Sequence, residues 1–206
     1  MNKKKIIIFA IFIFVFSVTL ISVANASSYN RWNAVNYAEE WALSYNTPKY
    51  QALNEDCTNF VSQCIRSGGI QYMWYGDRKS YLPWWHVLYS DSSYSFVNAP
   101  LLFQYFSFVR NVNSSSWITD VYYGDIMQLA SCMGNYPANY SDIFHSRIVV
   151  GFGAGPAYPD PNPNGNPYCA QHSYNSSWVR WDLTTDGRSI FEAYPNLTLY
   201  CWTPKN

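Results

Sequence analysis

Charged residues are scarce in this chain of 206 residues. Asp, Glu, Lys and Arg make up 13% of it, and 13 basic side chains balance 13 acidic ones at a formal net charge of +0. Because no basic excess is available to contact phosphates, the composition argues against nucleic acid and anionic membranes as partners. Tyr and Trp are abundant instead, with 19 and 9 copies. Such side chains are suited to peptide or sugar contacts.

The sequence also lacks the motifs of several common catalytic centres. It contains no Walker loop, no paired Cys-x-x-Cys and no His-Glu-x-x-His. Its three histidines, His86, His145 and His172, are scattered along the chain. We therefore expect no metal site and no cofactor.

Long hydrophobic runs are missing except at the start of the chain. Lys3-Lys4-Lys5 precede an apolar run from Ile6 to about Val23, which Ala24-Asn25-Ala26 closes. This pattern predicts a signal peptide over residues 1–26. The alternative is an uncleaved anchor, since the run approaches the ~18 residues that span a bilayer.

Cleavage after residue 26 predicts a secreted protein with a single domain over residues 27–206. This part has 10 basic and 13 acidic side chains, a net charge of −3. Its 180 residues are enough for one substantial core. We expect a monomer that does not contact the membrane after signal cleavage.

Five cysteines leave at least one thiol without a disulfide partner inside the chain. A free nucleophile requires such a thiol, and export permits disulfides among the others. If Cys57 is free, the remaining four, Cys64, Cys132, Cys169 and Cys201, allow three pairings. Cys64 falls on the apolar face of a predicted helix, so a reduced, packed thiol is the alternative for it.

The periodicity predicts helices first and antiparallel strands afterwards, an α+β domain. We predict helices over 30–46 and from Cys57 to Ser67-Gly68-Gly69, and a helix or extended apolar segment over 98–110. Strands are predicted over 124–129, 145–152 and 168–173, with β-leaning stretches at 178–181, 189–194 and 198–202. Residues 153–167, rich in Pro and Gly, are predicted to form a loop.

Cys57 is the most informative residue, because it follows a predicted N-cap, Asp56, in the first turn of an amphipathic helix. Unpaired N–H groups and the helix dipole favour a thiolate there, and the same N–H groups could bind an oxyanion. The alternative is a buried structural cysteine like Cys64.

A cysteine nucleophile needs a base and a third group that orients the base. His145 opens one predicted strand and His172 lies on the next. Residues across an antiparallel ladder lie about 5 Å apart, so the two imidazoles can be neighbours. The alternative to a catalytic role is structural: each histidine would then be a strand-end residue whose ring is satisfied by hydrogen bonds.

The segment Asp56-Cys57-Thr58-Asn59-Phe60-Val61-Ser62-Gln63, followed by Ser67-Gly68-Gly69, resembles the signature of the putative amidase domain family. That family is placed in the papain-like group with NlpC-type endopeptidases and CHAP amidases. The resemblance continues through most of the chain after residue 26, at 29–31, 34–41, 80–85, 124–125, 145 and the strand after it, and 171–173.

This resemblance implies a papain-like fold, N-terminal helices on a C-terminal antiparallel sheet with the nucleophile at a helix N-terminus. It implies Cys57 as nucleophile, His145 as general base and His172 as the orienting residue. Asn175 is the alternative third member, because the loop before His172 is longer than in relatives. The Cys57 N–H would contribute to an oxyanion hole, with Asn54 or Tyr50 as further donors.

The aromatic stretch 72–85 has two interpretations. Trp84 and Trp85 are candidates for a groove wall that stacks on substrate, and core and lid packing is the alternative. The resemblance as a whole implies a cysteine amidase or peptidase acting on peptidoglycan or related peptides. The competing hypothesis is a secreted, inactive peptide- or glycan-binding protein with the same fold.

Overall fold

The computed structural model describes residues 28–87, 91–132, 138–153, 165–194 and 196–206. The predicted signal peptide and most of the predicted proline-rich loop lie outside these residues. Within the described ranges, no helix combines the length and the hydrophobicity needed to cross a membrane.

Most helices lie in the first half of the chain. They are α1 (Arg31–Trp41), α2 (Cys57–Ser67), α3 (Tyr94–Val97), α4 (Ala99–Gln104), which a π-helical turn (Tyr105–Val109) extends, and α5 (Ile190–Ala193). Short 3₁₀ turns cover Ile118–Asp120 and Tyr140–Asp142. Helix α2 ends at Gly68-Gly69, as predicted, and the positive φ of Gly69 (97°) suits the glycine that follows a helix.

The strands are β1 (His86–Val87), β2 (Asp91–Ser92), β3 (Ile126–Ala130), β4 (Ile143–Gly153), β5 (Asn166–Gln171), β6 (Ser176–Arg180) and β7 (Thr198–Trp202). β1 and β2 form a small ribbon, and the other five form an antiparallel sheet in the order β6-β5-β4-β3-β7. The α+β prediction is therefore confirmed.

The sheet has a core on each face. Towards α1 and α2 it presents Ile126, Ala130, Ile148, Val150, Ala170 and Trp202. On the opposite face Met127, Leu129, Val149, Cys169 and Cys201 pack with Trp181 and Ile190. Each Val, Leu, Ile or Met side chain in these two sets stabilises the fold by about 1.5–3 kcal/mol when fully buried.

Alternation along β4 determines which of its residues reach each face. His145 pairs with Leu129 and Arg147 with Met127, so both belong to the face opposite the helices. Ser146, between them, faces α2, where its Oγ lies 3.1 Å from Thr58 Oγ1.

An ion pair fastens the first helix to the sheet. Arg31 Nη1 lies 2.6 Å from Asp125 Oδ1 and Arg31 Nη2 donates to Thr203 Oγ1. Asp125 also accepts from the Tyr122 N–H at 2.8 Å, so it shapes the turn before β3.

One helix boundary and one secondary-structure class were predicted wrongly. The helix predicted over 30–46 ends at Trp41. Residues 189–194, predicted to lean towards β structure, contain the one-turn helix α5, because the Ser189 side chain accepts from the Phe191 N–H and Ile190 turns into the core.

Candidate active site

Cys57 occupies the first position of α2, with its side chain 7% exposed and its thiol free. Asp56 stands at the N-cap position, but its side chain accepts no hydrogen bond from a backbone N–H of the helix. Its carboxylate instead accepts from the Leu53 N–H (2.9 Å) and from Asn59 Nδ2 (2.8 Å). The N-terminal turn of α2 is therefore not closed by its own cap residue.

A chain of buried polar side chains fixes α2, the helix of Cys57, against the sheet. The Cys57 sulfur lies 3.7 Å from Thr58 Oγ1, which contacts Ser146 Oγ at 3.1 Å. Gln128 donates to Ser146 Oγ at 3.0 Å and accepts from Trp202 Nε1 at 3.1 Å. Each member is satisfied, so the chain positions α2 without leaving a polar group unpaired.

Gln171 determines which nitrogen of His145 carries the proton. His145 Nε2 lies 3.1 Å from Gln171 Oε1, while Gln171 Nε2 donates to the Tyr174 carbonyl at 3.0 Å. The Gln171 oxygen must accept, so the imidazole donates from Nε2. Nδ1 is then the unprotonated nitrogen, the atom that can take a proton from a nucleophile.

Cys57 and His145 line one open cavity of about 840 Å³ at the end of β4. A bulge at Phe144 lies beside it, because the register of β4 against β3 shifts just before His145. Gln171, Arg147 and Asn54 also line this cavity. A thiol, an imidazole and a hydrogen-bonding amide are thus accessible to one ligand.

Burial keeps both reactive groups neutral. It raises the pKa of the Cys57 thiol, although N–H groups of Ser146 and Thr58 and the Thr58 hydroxyl lower it in part. Burial, followed by the Arg147 charge, lowers the pKa of His145 to about 3, and the Gln171 bond opposes this shift. The expected thiolate is therefore not the resting state, because desolvation outweighs the helix N-terminus.

His172 lies outside this constellation. Its Nδ1 contacts Asp56 Oδ2 at 2.5 Å, its Nε2 contacts the Trp41 carbonyl at 2.9 Å, and its ring stacks on Phe60. Consecutive residues of an extended chain point to opposite sides, so Gln171 reaches His145 and His172 turns towards α1 and α2. The side chain that is hydrogen-bonded to His145 is that of Gln171, not that of His172.

Two other predicted site residues also lie away from His145 or from the cavity. Asn175 is exposed in the turn after β5, and the bond to His145 comes from Gln171 instead. Tyr50 is 2% exposed, packs on His86 and Phe96, and does not line the cavity. Its hydroxyl therefore does not reach the cavity, whereas Asn54 lines it.

Trp84 and Trp85 contribute to packing and not to the wall of the cavity. Trp84 is fully buried in the main core and donates to Ser62 Oγ at 3.3 Å. Trp85 is half-buried and stacks on Trp74 at 5.4 Å between ring centroids. Neither residue lines the cavity.

Disulfides among the buried cysteines are absent from the described part of the chain. Cys64, Cys169 and Cys201 are buried and free, so none of them takes part in a disulfide. Within the described ranges, no group of three or more His, Cys, Asp or Glu residues is arranged to hold a metal.

Sequence reasoning missed Gln171 and Arg147 as site residues. Gln171 lies beside the predicted His172, and only the register between β4 and β5 decides which of the two faces His145. Arg147 sits two residues after His145 on the same face of β4, which strand alternation alone could have indicated.

One protein-family model matches a stretch of the chain that includes most of these residues. Residues 28–194 match the family described as "Putative amidase domain". The chain is also similar to two proteins of Bacillus subtilis (strain 168), each named as an uncharacterized protein. YhbB is 38% identical over 82 residues, 40% of this chain and 25% of that protein. YjcM is 36% identical over 52 residues, 25% of this chain and 13% of that protein.

The chain thus spans a quarter or less of the length of these two relatives. No solved structure matches it. The family match includes Cys57, His145 and Gln171, and its description indicates hydrolysis of amides. This chain belongs to the putative amidase domain family.

Proposed function

We propose that the protein is a secreted cysteine hydrolase that cleaves amide bonds, with the papain-like architecture of NlpC and CHAP enzymes. Cys57 is the nucleophile, His145 the general base and Gln171 the residue that orients it. One observation carries the proposal: a thiol at a helix N-terminus shares a cavity with an imidazole whose Nε2 proton is held by an amide oxygen. This hydrogen bond leaves Nδ1 as the base.

The neutral resting state defines the first step. The thiol attacks the amide carbonyl as its proton passes to His145 Nδ1, so no ion pair has to exist beforehand. The imidazolium that forms is stabilised through its Nε2–H by the Gln171 oxygen. It then protonates the leaving amine, which departs and leaves a thioester on Cys57.

The second half of the reaction reuses the same groups. His145 Nδ1 takes a proton from water, the hydroxide attacks the thioester carbonyl, and the thiol leaves with the proton. In both halves the oxyanion is stabilised by the N–H of Cys57 at the start of α2 and by the side chain of Asn54, which lines the cavity.

The substrate we propose is a peptidoglycan stem peptide or the amide that joins peptide to glycan. Support comes from the signal-peptide pattern of residues 1–26, which predicts export, and from the expected relation of the amidase family to NlpC-type and CHAP cell-wall hydrolases. A cavity of about 840 Å³ lies within the range of small-ligand sites, about 300–1,000 Å³. Another extracellular amide is the nearer alternative.

The test is digestion of purified peptidoglycan, with mass spectrometry of the released fragments. Wild-type protein should release peptides or free amines, and Cys57→Ala should release none while its unfolding midpoint stays near that of wild type. Cys132→Ala is the matched control, because Cys132 does not line the cavity. Turnover that persisted in Cys57→Ala would mean that another nucleophile acts.

A catalytically inactive binding protein is the second candidate, and one observation favours it. The Cys57 sulfur contacts the Thr58 hydroxyl rather than His145, and burial raises the pKa of the thiol. A binder would retain peptidoglycan fragments without cleaving them. This function would be supported if the protein bound peptidoglycan fragments but cleaved neither a wall preparation nor a peptide amide.

A further inference from the structure

One arginine in the candidate active site is buried without an acidic partner. Arg147 is 3% exposed and lines the cavity that contains Cys57 and His145. Its Nη1 donates to the carbonyl oxygens of Trp181 (3.2 Å) and Leu183 (3.3 Å). Its Nε is buried and has no hydrogen-bond partner.

The nearby carboxylates are engaged elsewhere. Asp182 binds Arg180 through both of its oxygens, and Asp186 pairs with Arg188 at 2.9 Å. Glu55 also lines the cavity but is exposed and makes no ion pair among the described residues.

Arg147 is the one arginine that is buried in the described part of the chain. Two carbonyl oxygens satisfy part of its hydrogen-bonding capacity but leave its charge without a counterion. A guanidinium without a counterion is unfavourable in a buried site, and its planar fork is suited to binding a carboxylate.

We propose that Arg147 forms a carboxylate-binding subsite beside Cys57, so that the preferred amide substrate carries a free carboxylate near the scissile bond. The reaction in this statement rests on the proposed function, whereas the subsite rests only on Arg147 and the cavity. Peptides with free α-carboxyl or acidic side-chain groups are the class that fits.

Such a subsite would also affect the base. The Arg147 charge is one cause of the low pKa of His145. A bound carboxylate would offset that charge, so an anionic substrate would make His145 a better proton acceptor than a neutral one would.

The subsite can be tested without any turnover, by alkylation of Cys57 with iodoacetate and iodoacetamide. The two reagents have nearly the same size and transfer the same carbon to sulfur with loss of iodide, but only iodoacetate carries a carboxylate. The rate constant for each is measured on the full chain at one pH and ionic strength, with the labelled cysteine identified by mass spectrometry. Free cysteine in solution gives the reference ratio.

We expect the ratio of the iodoacetate to the iodoacetamide rate to be about tenfold higher at Cys57 than on free cysteine, equivalent to about 1.4 kcal/mol. Arg147→Met should lower the ratio to that of free cysteine, and Arg147→Lys should retain part of the preference. The matched control is Arg188→Met, which removes a cavity arginine that Asp186 already neutralises.

A ratio at Cys57 equal to or below that of free cysteine would overturn the subsite, and so would a ratio that Arg147→Met leaves unchanged. If Arg147→Met does not fold, the wild type decides: acetate should protect Cys57 from iodoacetamide more than acetamide does, and equal protection overturns the proposal. Peptidoglycan digestion is measured on the same wild-type sample. Anion preference without digestion contradicts the proposed function alone, and digestion without anion preference contradicts the subsite alone.

Discussion

Asp56 and His172 are joined by a contact of 2.5 Å between the Asp56 carboxylate and His172 Nδ1, with both side chains almost fully buried. On its other side the His172 ring contacts the Trp41 carbonyl. The residue immediately before Cys57 is therefore linked, through His172, both to the end of α1 and to the turn after β5. His172, which the sequence predicted as the residue that orients His145, lies here in contact with the residue that precedes α2.

This position predicts a large loss of stability for His172→Ala. The substitution leaves Asp56 Oδ2 buried without a hydrogen-bond partner, which should cost about 1–3 kcal/mol in the free energy of unfolding. Urea unfolding measures the loss, and Asn175→Ala, an exposed change in the same turn, should stay within about 0.5 kcal/mol of wild type. A stable His172→Ala protein without turnover would instead return His172 to the catalytic group.

Gln171 is expected to act on rate through His145. Gln171→Ala removes the acceptor that fixes the proton on Nε2, so kcat should fall about tenfold or more with little change in KM. Gln171→Glu places a carboxylate at the ring, which favours the imidazolium and raises the pKa of His145. The acid limb of the pH profile of kcat/KM should then move to higher pH than in wild type. An unchanged profile in Gln171→Glu would contradict the orienting role.

The thiol of Cys57 should react with iodoacetamide like a buried group. Because burial raises its pKa, the pH at which the alkylation rate reaches half of its plateau should lie above 8.5, the pH at which an ordinary thiol is half ionised. Free cysteine, measured in parallel, provides the comparison. A rate that reaches its plateau below pH 7 would show an activated thiolate and would restore the expectation drawn from the helix N-terminus.

His145 should make the protein less stable in acid. Its pKa is about 3 in the folded chain, while an unfolded histidine has a pKa near 6.5. Between these values the unfolded state binds the additional proton, so stability falls as the pH falls from about 6.5 towards 3. The contribution is at most about 1.4 kcal/mol per pH unit.

The measurement for this effect is urea unfolding at pH 7, 5 and 4 in wild type and His145→Gln. The variant should lose less stability across this series, since it lacks the titrating ring. His86, whose pKa burial also lowers, is present in both proteins, so its contribution cancels in the comparison. Parallel curves for the two proteins would contradict the low pKa of His145.

The secondary-structure classes could largely be predicted because they depend on local features. The amphipathic repeat from Cys57 and the glycines after Ser67 define α2, and β-branched residues after His145 define β4. The β prediction for residues 189–194 was wrong, because a serine cap and one buried isoleucine outweigh β propensity over so short a segment.

By itself, the sequence determined the α+β class, the placement of Cys57 at the start of a helix and the placement of His145 near the start of a strand, because each depends on neighbours close in the chain. Only the tertiary structure decided that Gln171 faces the imidazole, that His172 binds Asp56 and that Arg147 is left without a counterion. These contacts depend on strand register and on burial, where a shift of one residue moves a side chain to the other face of the sheet. Burial likewise reversed the expected pKa of Cys57, since desolvation is set by the whole fold and not by the helix that carries the thiol.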